Sequence, residues 1–195
     1  MPFPGHVIFP IHNERYSTPS GPGACSALCV RWILAIHRNP IAATTTSAFY
    51  PGIMGTKQEI ERVQQQYETV NLGPDDEANI LIPNGLRVTD KGMFGLEAAP
   101  IETFLRDCFA NPGSYYVSLE LDDNRSVTSN ASEEGTLQHN IALYTGVNGY
   151  IIFDPNGGAY RSGGQQQFVS SARYWFDEYA LSYQKVGWFR CELAR

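Results

Sequence analysis

Three short stretches of the chain carry side chains able to act together as nucleophile, base and orienting acid. Gly21-Pro22-Gly23-Ala24-Cys25 puts a cysteine where a Gly/Pro-rich loop runs into a helix. His139-Asn140-Ile141-Ala142-Leu143 opens a strand-like run with a histidine, and Phe153-Asp154-Pro155-Asn156-Gly157-Gly158 ends the next run with an aspartate. The thiolate, not the thiol, is the nucleophile, so a cysteine site must favour the anion. A helix N-terminus does this with unpaired N–H groups and the positive end of its dipole. An imidazolium beside the sulfur adds a local charge, and a carboxylate beyond the ring fixes its tautomer and angle.

These groups need rigid elements to aim them. From Cys25 the apolar residues Leu28, Cys29, Trp32, Ile33 and Ile36 fall on one helical face, which predicts a buried helix with the thiol at its tip. His139 to Val147 is rich in strand formers, and Asn148-Gly149 is a favoured hairpin turn, with Tyr150 to Asp154 as the returning strand. With the turn there, paired numbers sum to about 297, setting Leu143 opposite Asp154 and His139 a few residues further along. The His139–Asp154 bond is then a tertiary expectation that the hairpin alone does not establish.

Taken singly, each residue has a plainer role. A cysteine at a helix start is most often a small buried hydrophobe, His139 alone reads as a satisfied strand-end histidine, and Asp154-Pro155-Asn156-Gly157 is a good turn. It is the set that points to catalysis. Its pattern, Cys25-x-x-Leu28-x-x-x-Trp32, His139-x-Ile141-Ala142-Leu143 and Tyr150-x-x-Phe153-Asp154-Pro155-Asn156-x-Gly158, resembles the YopT/AvrPphB family of bacterial effector cysteine proteases. The block order and the spacings, 114 residues from Cys25 to His139 and 15 from His139 to Asp154, suit that family. The resemblance implies Cys25 as nucleophile, His139 as general base and acid, and Asp154 as orienter. It also implies an α+β papain-like fold, a helical half carrying the nucleophile packed on an antiparallel sheet carrying His and Asp, and delivery into a host cell.

One feature departs from the papain-like arrangement. Such sites place a Gln or Asn a few residues before the nucleophile to donate into the oxyanion hole, whereas Thr18-Pro19-Ser20-Gly21-Pro22 holds no amide. The N–H of Cys25 supplies one donor; Ser20 and the more distant Asn13 are the candidates for the other.

Length and composition fit a single compact enzyme domain over 1–195, which the resemblance implies is a papain-like catalytic domain, with 1–20 read as an extended N-terminal arm. A net charge of −6 and pI near 5.2 argue against nucleic acid as partner. No cofactor is expected, and no metal site: Cys25 and Cys29 with His6, His12 and His37 lack finger-like spacing. Cys25 and Cys29 share one helix, while Cys108 and Cys191 sit in apolar segments, so all four are expected as reduced thiols. The start Met1-Pro2-Phe3-Pro4-Gly5-His6 has no basic and apolar signal-peptide regions, and no stretch is long enough for stable membrane insertion. A monomeric secreted effector acting on a host protein in the host cytosol is the expectation.

The remaining segments read as scaffold. Thr56-Lys57-Gln58-Glu59 is a capping-box pattern opening a helix over 56–70. A second helix spans 100–110 with Phe104, Leu105 and Cys108 inward; a strand over 115–121 pairs with the His139 strand. A helix over 170–179 and a strand over 184–193 close the chain, after a polar run at 122–136 that reads as a solvated loop, the alternative being a mobile lid whose acidic residues favour a basic substrate segment. The function expected is thiol-dependent endopeptidase action through an acyl-enzyme. A glutamine deamidase or transglutaminase with the same triad, and a non-catalytic papain-like binding module, are the alternatives.

Overall fold

The computed structural model describes residues 6–11, 13–18, 21–22, 24–41, 54–69, 77–120, 139–180, 183 and 185–194. Its centre is helix α1 (Cys25–Arg38). The apolar stripe predicted from the sequence is fully buried, and Val30, Leu34 and Ala35 bury the opposite side as well, leaving Arg31 and the C-terminal His37 and Arg38 toward solvent. A helix apolar on nearly all sides belongs between layers. One layer is α2 (Lys57–Thr69), whose start is the expected capping box: Thr56 N–H donates to Glu59 Oε2 at 2.7 Å and Glu59 N–H to Thr56 Oγ1 at 3.2 Å. A short α3 (Ala78–Leu81) follows.

The other layer is an antiparallel sheet. In chain order its strands are β1 (His6–Phe9), β4 (Leu86–Gly95), β5 (Gly113–Glu120), β6 (His139–Gly146), β7 (Gly149–Asp154), β8 (Gly158–Ser162) and β9 (Lys185–Leu193). Their spatial order is β1-β8-β7-β6-β5-β9-β4, with a separate two-residue pair, β2 (Ser17–Thr18) and β3 (Gly21–Pro22), just before α1. Side chains alternate between faces. Tyr116, Ala142, Ile151 and Phe153 pack toward α1. Val117, Leu119, Ile141, Leu143 and Ile152 pack toward α4 (Ala98–Ala110) and α5 (Gln165–Tyr179) on the other face.

Most expected elements are present, with three differences. The β6–β7 turn is Val147-Asn148, with Gly146 paired to Gly149 and Ala142 to Phe153, so paired numbers sum to 295 and Leu143 faces Ile152 rather than Asp154. Gly149, with φ of 133°, takes a strand position under Arg161, and that arginine donates to the Asn148 carbonyl at 3.0 Å, pinning the turn one residue early. Second, α5 starts at Gln165, five residues before the expected start at 170, because Gln167 Oε1 accepts the Gly163 N–H at 2.7 Å and ties down a polar first turn. Third, β4 has no strand-like pattern of its own. It is a charged edge strand, held by nine residue pairings to β9, with Trp188 lying against Gly92 where a Cβ would be 2.8 Å from the indole. The polar loop at 122–136 lies outside the described residues.

Candidate active site

Cys25 is the first residue of α1, and the N–H groups around it are taken up one by one. Ala24 N–H donates to Asn13 Oδ1 in a short bond. Ala27 N–H donates to Gln64 Oε1 from α2 at 3.2 Å, and Leu28 N–H closes the first helical turn on the Ala24 carbonyl at 2.9 Å. The N-cap residue Ala24 makes no side-chain cap bond, and the side-chain acceptors here come from Asn13 and Gln64.

His139 opens β6 on the α5 side of the sheet, while Cys25 comes from the helix on the opposite side. They meet at the strand's end, where thiol and imidazole hydrogen-bond. His139 Nε2 is bonded to Asp154 Oδ1 at 3.0 Å, so Nδ1 is the ring atom turned to the sulfur. The observed register makes this geometry possible. Ala142 pairs with Phe153, so Asp154 lies one step further along β7, level with Ile141, and His139 is its diagonal same-face neighbour. On the other face of β7, Phe153 stacks on Trp32 of α1 with centroids 5.1 Å apart and planes 8° apart, locking the strand of Asp154 to the helix of Cys25.

The electrostatics follow from these contacts. Burial pushes the Cys25 thiol up, but the hydrogen bond and charge of His139 and the N–H groups of Asn140 and Ser26 bring it below its ordinary value. Burial pushes His139 down, yet its bonds to Asp154 and Cys25 and their charges lift it to about 9. Burial raises Asp154, and His139, the Asn156 N–H and Trp175 outweigh that and hold it low. Cys29 and Cys108, by contrast, are raised by burial, so Cys25 is the thiol this environment ionises most readily of the three.

Asp154 is both turn residue and acid. Gly157 N–H returns to its carbonyl at 3.0 Å, with Pro155 and Asn156 as the central residues, while Asn156 N–H donates to its Oδ1 at 2.8 Å. Of the two expected oxyanion donors, Ser20 lies outside the described residues. Asn13 sits beside the nucleophile: with its oxygen fixed on Ala24 N–H, its amide nitrogen faces Asn156, donating to Oδ1 at 3.4 Å. A 3₁₀ turn at Asn13–Arg15 and the β2–β3 pair intervene, and this amide, twelve positions upstream of Cys25, comes to lie against Ala24. His37 lies in the last turn of α1, its Nε2 on the Cys191 carbonyl at 3.0 Å, about three turns from the thiol.

Reading the sequence missed Trp175 and Tyr179. Trp175 Nε1 and Tyr179 Oη both donate to Asp154 Oδ2, at 3.0 and 3.1 Å. The available clue was two aromatic residues with polar tips at i and i+4 of an expected helix.

A buried helix tipped by a thiol, crossing an antiparallel sheet that presents a histidine and a carboxylate to it, defines the papain-like cysteine protease fold. Solved structures share it, two of them as follows. The Pseudomonas avirulence protein AvrPphB matches with a TM-score of 0.61 and 18% identity, over 87% of this chain and 92% of that one. The ubiquitin-specific protease encoded by a murine cytomegalovirus tegument protein, solved with a ubiquitin-based suicide substrate, matches with a TM-score of 0.61 and 12% identity, over 97% and 87%. No protein-family model and no curated protein matches the sequence.

Proposed function

We propose that the protein is a thiol endopeptidase that cleaves a host protein as a delivered bacterial effector. The observation that carries this reading is the hydrogen-bonded series from the Cys25 thiol through His139 to Asp154, at the tip of a buried helix. Cys25 attacks the scissile carbonyl as thiolate. This reading assigns the oxyanion to the Cys25 N–H and to the Asn13 amide, whose nitrogen turns from Asn156 Oδ1 to donate there. His139 Nδ1 gives its proton to the leaving amine, then takes one from the water that hydrolyses the thioester, while Asp154 keeps Nε2–H oriented.

Likeness to AvrPphB supports the effector role, and the acidic net charge fits protein rather than nucleic acid as substrate. Among the described residues no helix is long and apolar enough to cross a membrane. An amide side chain, Asn13, bonded next to Cys25 at Ala24 supports the enzyme reading over a non-catalytic module.

The test is intact-mass and terminal proteomics of host lysate treated with wild type and with Cys25→Ala. New termini that depend on Cys25 are expected. A gain of about one dalton on an intact target, without new termini, replaces the protease by a deamidase acting through the same acyl-enzyme.

A further inference from the structure

We infer that Tyr179 is a positioning residue of this site, one side chain that holds both the imidazole of His139 and the carboxylate of Asp154 in line with Cys25. The inference rests on the triad reading above. Its basis is a double contact: the Tyr179 hydroxyl donates to Asp154 Oδ2 at 3.1 Å, while its ring lies on the His139 imidazole with centroids 5.0 Å apart and planes 8° apart. Trp175, one turn earlier on α5, adds a second donor to the same oxygen at 3.0 Å and packs on Tyr179 with centroids 4.0 Å apart.

The donors make the carboxylate unable to turn. Oδ1 takes His139 Nε2–H and the Asn156 N–H, and Oδ2 takes the indole and the phenol, so rotation about the Cβ–Cγ bond breaks bonds at both oxygens. Asp154 is 7% exposed and His139 4%, so little water is at hand to replace a lost partner. The stacked ring adds a second restraint. It blocks tilting of the imidazole and presents a π-face to the imidazolium. Among the described residues the other ionisable groups within electrostatic reach are Cys29 and Tyr183, near both Cys25 and Asp154, Tyr67, near Cys25, and Tyr160, near Asp154.

The proposal separates from a role in merely docking α5, because Tyr179→Phe keeps the ring and removes only the donor. The readout is the pH dependence of Cys25 alkylation by iodoacetamide, with the labelled residue located by mass spectrometry, which needs no peptide substrate. Without the phenol, Asp154 turns more freely, the imidazolium loses support, and the thiolate forms only at higher pH. The acid limb should rise by about half a pH unit in Tyr179→Phe and about one unit in Tyr179→Leu, which also loses the stacked face. In an Asp154→Asn background Tyr179→Phe should add no further shift.

An unmoved limb in Tyr179→Phe overturns the proposal, as does an equal shift with and without Asp154. If Tyr179→Leu unfolds, the Tyr179→Phe cycle still decides. A shifted limb in a protein that cleaves nothing keeps the positioning role and rejects the protease; cleavage with an unmoved limb does the reverse.

Discussion

The two ends of the site are held by different means. At the nucleophile's end, backbone N–H groups are met by amide oxygens from Asn13 and Gln64, so neutral donors and acceptors fix where α1 begins. At the base's end, a carboxylate is surrounded by four donors and an imidazole is stacked on a phenol, so charge is fixed by polar tips of aromatic residues. The contrast suits the chemistry. In the proposed mechanism the sulfur keeps a position through attack and release, whereas the imidazole keeps an orientation while its charge changes.

The largest effects should come from the groups that change charge or bonding. Cys25→Ala and His139→Ala should abolish turnover, and Asp154→Asn should cut kcat by about two to four orders of magnitude with the fold intact by circular dichroism. If Asp154→Asn keeps near-normal turnover while His139→Ala does not, the charged end has been misassigned and Asp154 serves the turn alone.

Next in size is Asn13→Ala, which removes a neutral group from the nucleophile's end. Loss of an oxyanion donor should lower kcat about a hundredfold with little change in KM. Equal losses in binding and turnover would instead make Asn13 a loop anchor.

The pH profile sharpens the contrast further. His139 is raised from 6.5 to about 9, so its stabilising contribution is complete below its ordinary value and is lost as pH rises through about 9. Cys25 is lowered, so its contribution is present above its ordinary value of 9 and is lost as pH falls through the lowered one. The thiolate–imidazolium pair therefore persists between Cys25's lowered value and about 9. Peptide hydrolysis should fall above about 9, when His139 no longer carries the proton the leaving amine needs, while alkylation of Cys25 should not. A joint fall of both rates above that pH would mean that His139 does not act as the acid.

What the sequence made legible was what neighbours decide. The thiol at a helix start, the Thr56–Glu59 capping box and the Asp-Pro-Asn-Gly turn each depend on residues within four positions, and each is found in place. The contacts that tune the site are not of that kind. Asn13 reaches Ala24 across 11 positions, Gln64 reaches Ala27 across 37, and Trp175 and Tyr179 reach Asp154 across 21 and 25. Local pattern contains no information about such pairs, because the intervening hairpins and helices set where they land. The hairpin lies between these cases. Its existence follows from strand formers flanking Asn148-Gly149, but its register is set by Arg161 of the next strand.

The smallest effect is the most discriminating for the nucleophile's end. Gln64→Leu keeps shape while leaving the Ala27 N–H buried and unmet, a loss of about 1–3 kcal/mol. Thr56→Ala removes an exposed N-terminal cap on α2 and should cost about 1 kcal/mol. On stability alone the two are hard to tell apart, so the reactivity of Cys25 is the measurement to make. Gln64 bonds the first turn of the helix that carries the thiol, and a frayed first turn weakens the Ser26 N–H contact and the helix-tip field on sulfur. Alkylation at a fixed mildly acidic pH should therefore slow in Gln64→Leu and stay at the wild-type rate in Thr56→Ala. Should both variants leave it unchanged, the amide caps hold the fold without holding the thiolate, and the two ends of the site differ in stability rather than in chemistry.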